Sequence, residues 1–178
     1  MLKVFSVDVE TECLHGKYAF AIGAVVRENS KTVSEFSGRA PTPLCASDWV
    51  QKNVIPALAD MSQTHKSVRV LEEDFWDFWT LHRPNADCIA YFGSQGGEAA
   101  LFNRLIRRNY EERWTLSPGP LHEVCSLMLA RGFQDVRHID LYMKRFGLWP
   151  TCAPQKFHHP LFDAHAAAIV WEHLMSKQ

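Results

Sequence analysis

Long hydrophobic runs are missing from this sequence of 178 residues, although 47% of the residues are hydrophobic. No apolar stretch reaches the roughly 20 residues that a membrane-spanning helix needs, and no signal-peptide pattern precedes the first strand-like segment. The hydrophobic residues therefore belong to a buried core, and residues 1–178 are long enough for one domain. We expect a soluble, cytoplasmic protein without a membrane partner.

Paired cysteines and an excess of one charge are missing too. The five cysteines are widely spaced and form no Cys-x-x-Cys pair, so we expect neither a disulfide framework nor a zinc cluster. The 19 Lys and Arg residues nearly balance the 20 Asp and Glu residues. A surface that binds nucleic acid would therefore have to be local.

Two common catalytic motifs are also absent. The glycine-rich stretch "FGSQGG" lacks the Gly-Lys-Ser/Thr end of a phosphate-binding P-loop. A nucleophile elbow needs Gly two residues before the serine, but Phe92 stands at that position before Ser94. These departures disfavour a serine hydrolase centred on Ser94.

The chain begins with three strand-like segments, Leu2–Val9, Tyr18–Arg27 and Thr32–Gly38. Their short connections favour antiparallel pairing. Predicted helices then alternate with two short strands, one of them Asp87–Gly93. This order predicts a mixed α/β domain in which parallel strands are added to three antiparallel strands, with helices flanking the sheet.

The first strand ends in two carboxylates, Asp8 and Glu10. Side chains two residues apart on a strand share a face. Two carboxylates about 5 Å apart repel by roughly 3 kcal/mol at an effective dielectric near 20. Either water at an exposed edge or a bound cation would offset that repulsion.

A second polar cluster lies in "FHHPLFDAHAAA". His159 precedes a proline and is expected to be extended, while Pro160 suits the first position of a helix. Asp163 then falls in the first helical turn, where the helix dipole favours a carboxylate. His158 is a candidate general base in the approach loop. A surface histidine pair beside a helix start is the alternative.

Taken in order, three motifs resemble those of the DEDDh-type 3′–5′ exonucleases. "VDVETECL" resembles the DxETTGL opening of that family, "AIGAVV" its second strand, and "HHPLFDAHAAA" its HxxxxDAxAxA close. "SDWVQKNVIPAL" is also similar to a segment of compact bacterial exoribonucleases of this group. The resemblance implies an RNase H-like fold and hydrolysis of DNA or RNA from a free 3′ end, with release of nucleoside 5′-monophosphates. It also allows a homodimer.

By the same resemblance, Asp8, Glu10 and Asp163 are metal ligands and His158 is the general base. Oxygen ligands without cysteine indicate Mg²⁺ or Mn²⁺, and the family mechanism implies two ions. The four-residue spacing to Asp163 favours His158 over His159 as the base.

The sequence departs from the family in its second and first motifs. The second motif lacks its usual Asp, since Asp87 lies at the wrong end of the strand, so Glu98 is either the fourth metal ligand or a plain helix-start carboxylate. In the first motif, Thr11 and Leu14 are retained and are expected to hold the terminal nucleotide. Glu12 replaces an uncharged residue and is expected to add a negative charge near the phosphate path.

Two hypotheses about function stay open. The protein is an active exonuclease, or it is a weakly active or inactive exonuclease-fold protein that binds nucleic-acid ends or a protein partner. The aromatic run "DFWDFW" is better explained by core packing than by base stacking. Arg104, Arg107 and Arg108 either follow a nucleic-acid backbone or form a solvated face whose counter-charges are Glu111 and Glu112.

Overall fold

The computed structural model describes residues 3–14, 16–83, 88–91, 97–151 and 155–176, with the backbone alone for 88–91. Five strands form one sheet: β1 Lys3–Thr11, β2 Ala19–Glu28, β3 Lys31–Arg39, β4 Cys88–Tyr91 and β5 Leu121–Glu123. The α-helices are α1 Asp48–Ala57, α2 Val68–His82, α3 Gly97–Arg108, α4 Tyr110–Arg113, α5 Val124–Ala130, α6 Ile139–Phe146 and α7 Pro160–Ser176. A 3₁₀ helix, Trp114–Leu116, follows α4.

The strand order in the sheet is β3-β2-β1-β4-β5. β1 and β2 pair antiparallel, as do β2 and β3, so the mixed α/β class and its antiparallel start are confirmed. β4 lies parallel to β1, and β5 lies parallel to β4. In the β1–β2 register Asp8 faces Gly23, and Glu10 faces Ala21.

Helices cover both faces of the sheet. On one face Phe5 and Val7 of β1 pack against the aromatic residues of α2, with the rings of Phe5 and Trp79 edge-on at 5.0 Å. This packing confirms that the aromatic run of α2 belongs to the core. On the other face α7 buries its alanines and Trp171 against Val4 and Val25. The small alanine side chains let a helix approach a sheet closely.

Ion pairs join α3 to α2. Arg104 and Arg108 both donate hydrogen bonds to Glu72, whose side chain is 1% exposed, and Arg108 also pairs with Glu73. The counter-charges of these two arginines are therefore glutamates of α2. The prediction that Glu111 and Glu112 are their counter-charges is corrected. A long-range contact of this kind leaves no local pattern in the sequence.

Local sequence signals account for both ends of α1. Ser47 caps α1 by accepting a hydrogen bond from the Val50 N–H, and α1 ends one residue after Pro56, as a proline there predicts. The helix predicted to continue from Glu98 to Glu112 is interrupted at Asn109.

No helix in the described ranges is both long and apolar enough to cross a membrane.

Candidate metal centre

Gly23 on β2 determines how closely α7 approaches the end of β1. A Cβ atom on Gly23 would lie only 2.2 Å from the backbone N of Leu161 and from the carbonyl carbon of Pro160. Because glycine has no Cβ, the first turn of α7 rests directly on β2, opposite Asp8. This contact brings Asp163, in that first turn, to the carboxylates of β1.

Among the described residues, one group could hold a metal ion through three side chains. Glu10, His158 and Asp163 each offer one ligand atom, and these atoms all lie within 4.8 Å of one another. The backbone N–H of His158 donates a 2.7 Å hydrogen bond to Asp163 Oδ2, and His158 has a φ of 63°. This turn of the chain places the His158 Nδ1 atom 3.8 Å from Glu10 Oε1.

Asp8 and Glu98 complete the acidic cluster. Both line the same cavity of about 650 Å³ as Glu10, Asp163 and His158. Glu98 enters from the first turn of α3 and is only 5% exposed. Four carboxylates from β1, α3 and α7 thus converge, although Asp8 and Asp163 are 155 positions apart in the sequence.

The burial of these carboxylates disfavours their charged forms. Burial raises the pKa of Asp8 to about 7. The pKa of Glu98 is raised to about 8, first by burial and then by the Asp8 charge, against hydrogen bonds with the backbone of Glu98 and Val9. Burial and the neighbouring carboxylates hold the pKa values of Glu10 and Asp163 well above their usual range. An ionised cluster of this kind needs cations.

The donor atoms suit a hard divalent cation. Asp8 Oδ2 is buried and has no hydrogen-bond partner among the described residues. A buried carboxylate oxygen without a donor is costly unless a cation or a proton occupies the site. Carboxylate oxygens are the ligands that Mg²⁺ and Mn²⁺ prefer, so the residues present fit such ions.

The two histidines differ in position. His158 is partly exposed and lines the cavity, and burial lowers the pKa of its imidazole. His159 is 4% exposed and is not among the residues that line the cavity. The charged groups that act on His159 are Asp60 and Lys156. The structure therefore brings His158 to the acids, while its role as general base stays a prediction.

The first motif forms one wall of the cavity and a tight turn. Thr11 and Leu14 both line the cavity, but the Thr11 hydroxyl donates to the Cys13 carbonyl at 2.7 Å. The Glu12 carboxylate accepts hydrogen bonds from the N–H groups of Lys17 and Tyr18, at 2.7 and 2.8 Å.

Glu12 is 7% exposed and does not line the cavity, which corrects the prediction of a charge near the phosphate path. The carboxylate turns toward the two backbone N–H groups because they hydrogen-bond it within the turn.

Some cavity residues were not predicted from the sequence. Trp49, Arg137 and Asp140 also line the cavity. Trp49 lies on the first turn of α1, Asp140 lies in the first turn of α6, and Arg137 lies two residues before α6 begins. An isolated glycine inside a strand is a signal of close backbone approach that could have identified Gly23. No comparable local signal marks Arg137. Asp87 and Ser94 lie outside the described residues.

Comparison with solved structures identifies a similar fold. The chain resembles Exonuclease X in complex with 5′-overhanging duplex DNA, with a TM-score of 0.60 and 16% sequence identity. The match covers 98% of this chain and 92% of that one. No protein-family model and no curated protein sequence matches the chain. At this level of identity the likeness concerns the fold, and we conclude that the chain has the fold of this exonuclease.

Proposed function

We propose that the protein is a metal-dependent 3′–5′ exonuclease that hydrolyses DNA or RNA and releases nucleoside 5′-monophosphates. One observation carries the proposal: four carboxylates, those of Glu10 and Glu98 buried and those of Asp8 and Asp163 partly buried, converge with His158 on one cavity from three distant parts of the chain. The fold of Exonuclease X supports a nuclease, and its complex with DNA supports nucleic acid as the partner. The motif resemblance supports the DEDDh type, its RNase H-like fold and the 3′–5′ direction.

Asp8, Glu10, Glu98 and Asp163 would hold the metal ions, Mg²⁺ or Mn²⁺. When bound, two such ions supply an activated water and stabilise the leaving oxygen of the phosphodiester. The protein contributes a preformed cluster, because the contact of α7 with Gly23 and the first turn of α3 bring the carboxylates together. In this proposal Glu98 takes the part of the family's second-motif Asp.

His158 would take the proton of the attacking water. Its imidazole lies beside the cluster, with Nδ1 3.8 Å from Glu10 Oε1, and the ring nitrogen without a hydrogen is the one that accepts the proton. Burial lowers the pKa of the imidazole, so the ring is neutral and able to accept a proton near pH 7.

Leu14, Thr11 and Arg137 would hold the substrate. Leu14 is 68% exposed at the cavity and offers an apolar contact to the terminal nucleotide. Arg137 is the one Lys or Arg among the described residues that line the cavity, and it makes no ion pair with a described residue. Its guanidinium is therefore available for a phosphate group.

A degradation assay tests the proposal. Single-stranded and duplex oligonucleotides of DNA and RNA, labelled at the 5′ end, are incubated with Mg²⁺ or Mn²⁺. We expect stepwise shortening, no shortening when the 3′ end carries a phosphate, and no shortening by the Asp163→Asn variant. Intact substrates with both ions, or products cut from the 5′ end, would contradict the proposal.

A second candidate function rests on Glu98. A glutamate stands where the family has Asp, and burial with the Asp8 charge raises its pKa to about 8. Both features weaken metal binding at neutral pH, so an exonuclease-fold protein that binds nucleic-acid ends or a protein partner without cleaving is the alternative. Retention of 3′-ended oligonucleotides without any shortening would favour it.

A further inference from the structure

We infer that Trp49 is a positioning residue that holds the imidazole of His158 over the acidic cluster. The inference deepens the proposed function, on which its catalytic consequence rests. The rings of Trp49 and His158 meet edge to face, with centroids 5.2 Å apart and planes at 89°. Trp49 lines the cavity beside His158.

The imidazole needs such a contact because no hydrogen bond restrains it. The backbone of His158 is tied down by the bond from its N–H to Asp163 Oδ2. Its ring, however, makes no hydrogen bond with a described residue, and the 3.8 Å separation from Glu10 Oε1 is too long for one. Without the indole, the side chain is free to adopt other staggered rotamers that point away from the carboxylates.

Hydrogen bonds hold Trp49 in a defined place relative to the acids. The Ser47 N–H donates a 2.8 Å hydrogen bond to the Glu12 carbonyl, which joins the start of α1 to the end of β1. The Ser47 hydroxyl accepts from the Val50 N–H and so begins the helix. Trp49 therefore moves with the strand end that carries Glu10.

Core packing does not explain the position of Trp49. The indole belongs to none of the buried clusters, and the residue is 55% exposed, while Val50 and Val54 make the core contacts of α1. A large aromatic side chain at a cavity wall, in contact with His158, is better explained by its effect on the orientation of that histidine. Its truncation should therefore affect His158 far more than the fold.

The expected kinetic result is a selective loss of kcat. We expect Trp49→Ala to lower kcat about 10- to 100-fold with less than a threefold change in KM, because the productive orientation of the base is populated less often. Trp49→Phe keeps a ring in contact with His158 and should restore most of kcat. Trp114→Ala is the matched control, since Trp114 is also 55% exposed but stacks on Tyr110 outside the cavity.

Proton NMR of histidine-labelled protein tests the contact without any activity. The ring current of the indole shifts the His158 ring protons, whose signals are assigned by their loss in His158→Gln. We expect Trp49→Ala to move these signals and Trp114→Ala to leave them in place. The increase in melting temperature on adding Mn²⁺ should persist in Trp49→Ala, because the carboxylates are intact.

The outcomes separate the inference from the proposed function. An active wild type with unchanged kcat or unmoved His158 signals in Trp49→Ala overturns the inference alone. A rise in KM at constant kcat also overturns it, because Trp49 then contacts the substrate instead of positioning the base. An inactive wild type whose His158 signals still respond to Trp49→Ala overturns the proposed function and leaves the contact supported. Unmoved signals in an inactive protein overturn both.

Discussion

At the scale of single residues, Asp8 carries the clearest energetic cost. One of its carboxylate oxygens is buried without a donor in the part of the chain that the structure describes, and the other carboxylates of the cluster lie close enough to raise the pKa of Glu10. In the absence of metal, these groups either accept protons or repel each other. Stability and the proposed metal binding therefore depend on the same atoms.

Asp8→Asn should stabilise the metal-free protein, because an isosteric amide removes one buried charge and can donate hydrogen bonds to neighbouring carboxylates. We expect a gain of about 1–3 kcal/mol in the free energy of unfolding, or about 2–4 °C in melting temperature per kcal/mol. The variant should lose the stabilisation that Mn²⁺ gives the wild type. Thermal melts in EDTA and in millimolar Mn²⁺ measure both effects. A lower melting temperature than wild type in EDTA would contradict the assignment.

The pH dependence of the stability of the metal-free protein follows from the direction of the pKa shifts of its buried carboxylates. Burial raises the pKa values of Asp8 and Glu98 to about 7 and about 8, above those of the unfolded chain. The unfolded state therefore releases these protons first, at about pH 4, so stability that is fully present below that pH is lost as the pH rises to 7 to 8 and then levels off. We expect the melting temperature in EDTA to fall between about pH 5 and 8, to level off above about pH 8, and to fall less in Glu98→Gln. Equal slopes for the two proteins would remove Glu98 from the cluster.

The adjacent histidines should have separable effects. His158→Ala removes the group at the cavity and should lower kcat by about 10²–10⁴-fold. His159→Ala should leave kcat near wild type but lower the melting temperature, since His159 is 4% exposed. Kinetics and melts on both variants measure the difference. A greater loss of kcat in His159→Ala would reverse the assignment of the base.

At the scale of elements, the site depends on how α7 and α3 meet the sheet. α7 brings Asp163 to β1 only because Gly23 leaves room for its first turn. α3 brings Glu98 there, and Arg104 and Arg108 join α3 to the buried Glu72 of α2. Each contact joins distant parts of the chain, so the carboxylates come together only when the helices pack on the sheet.

Gly23→Ala should separate α7 from β2. The added methyl group would meet backbone atoms of Pro160 and Leu161, which cannot move without shifting the helix. We expect a loss of roughly 1–3 kcal/mol or more in stability and a loss of Mn²⁺-induced stabilisation, because Asp163 moves away from Asp8. Gly119→Ala is the control, since a Cβ there has no atom within 4 Å. A Gly23→Ala protein that still gains stability from Mn²⁺ would contradict this view of α7.

Sequence patterns predicted elements better than contacts between them. The antiparallel start, the Ser47 cap and the core role of the α2 aromatics follow from local periodicity and capping, which a short window of sequence contains. The Asp8–Glu10 pair was visible for the same reason. The ion pairs of Glu72 and the turn of Glu12 away from the cavity were not predictable, because they depend on partners that tertiary structure supplies.

At the scale of the whole molecule, charge sets how the proposed exonuclease would hold a polyanion. The formal net charge is −1, and five carboxylates line the cavity, the four of the acidic cluster and Asp140. Two of the three arginines of α3 are engaged with α2, so they do not add to a basic groove. Arg137 is the one Lys or Arg among the described residues that line the cavity. Oligonucleotide binding must then rely on metal ions and on a few contacts at the strand end.

A homodimer would extend this surface and stays a prediction, which light scattering can test.

Oligonucleotide binding should consequently depend only weakly on salt. For a single strand, log K falls with log salt by about 0.7 for each phosphate neutralised, so two or three contacts give a slope near −1.4 to −2.1. Fluorescence anisotropy with the His158→Ala protein in Mg²⁺ measures the slope while cleavage is slow. Arg137→Ala should weaken binding and make the slope shallower by about 0.7. Arg107→Ala should do neither, because that exposed residue of α3 does not line the cavity. A slope steeper than about −4 would mean a long basic track and would contradict recognition confined to the strand end.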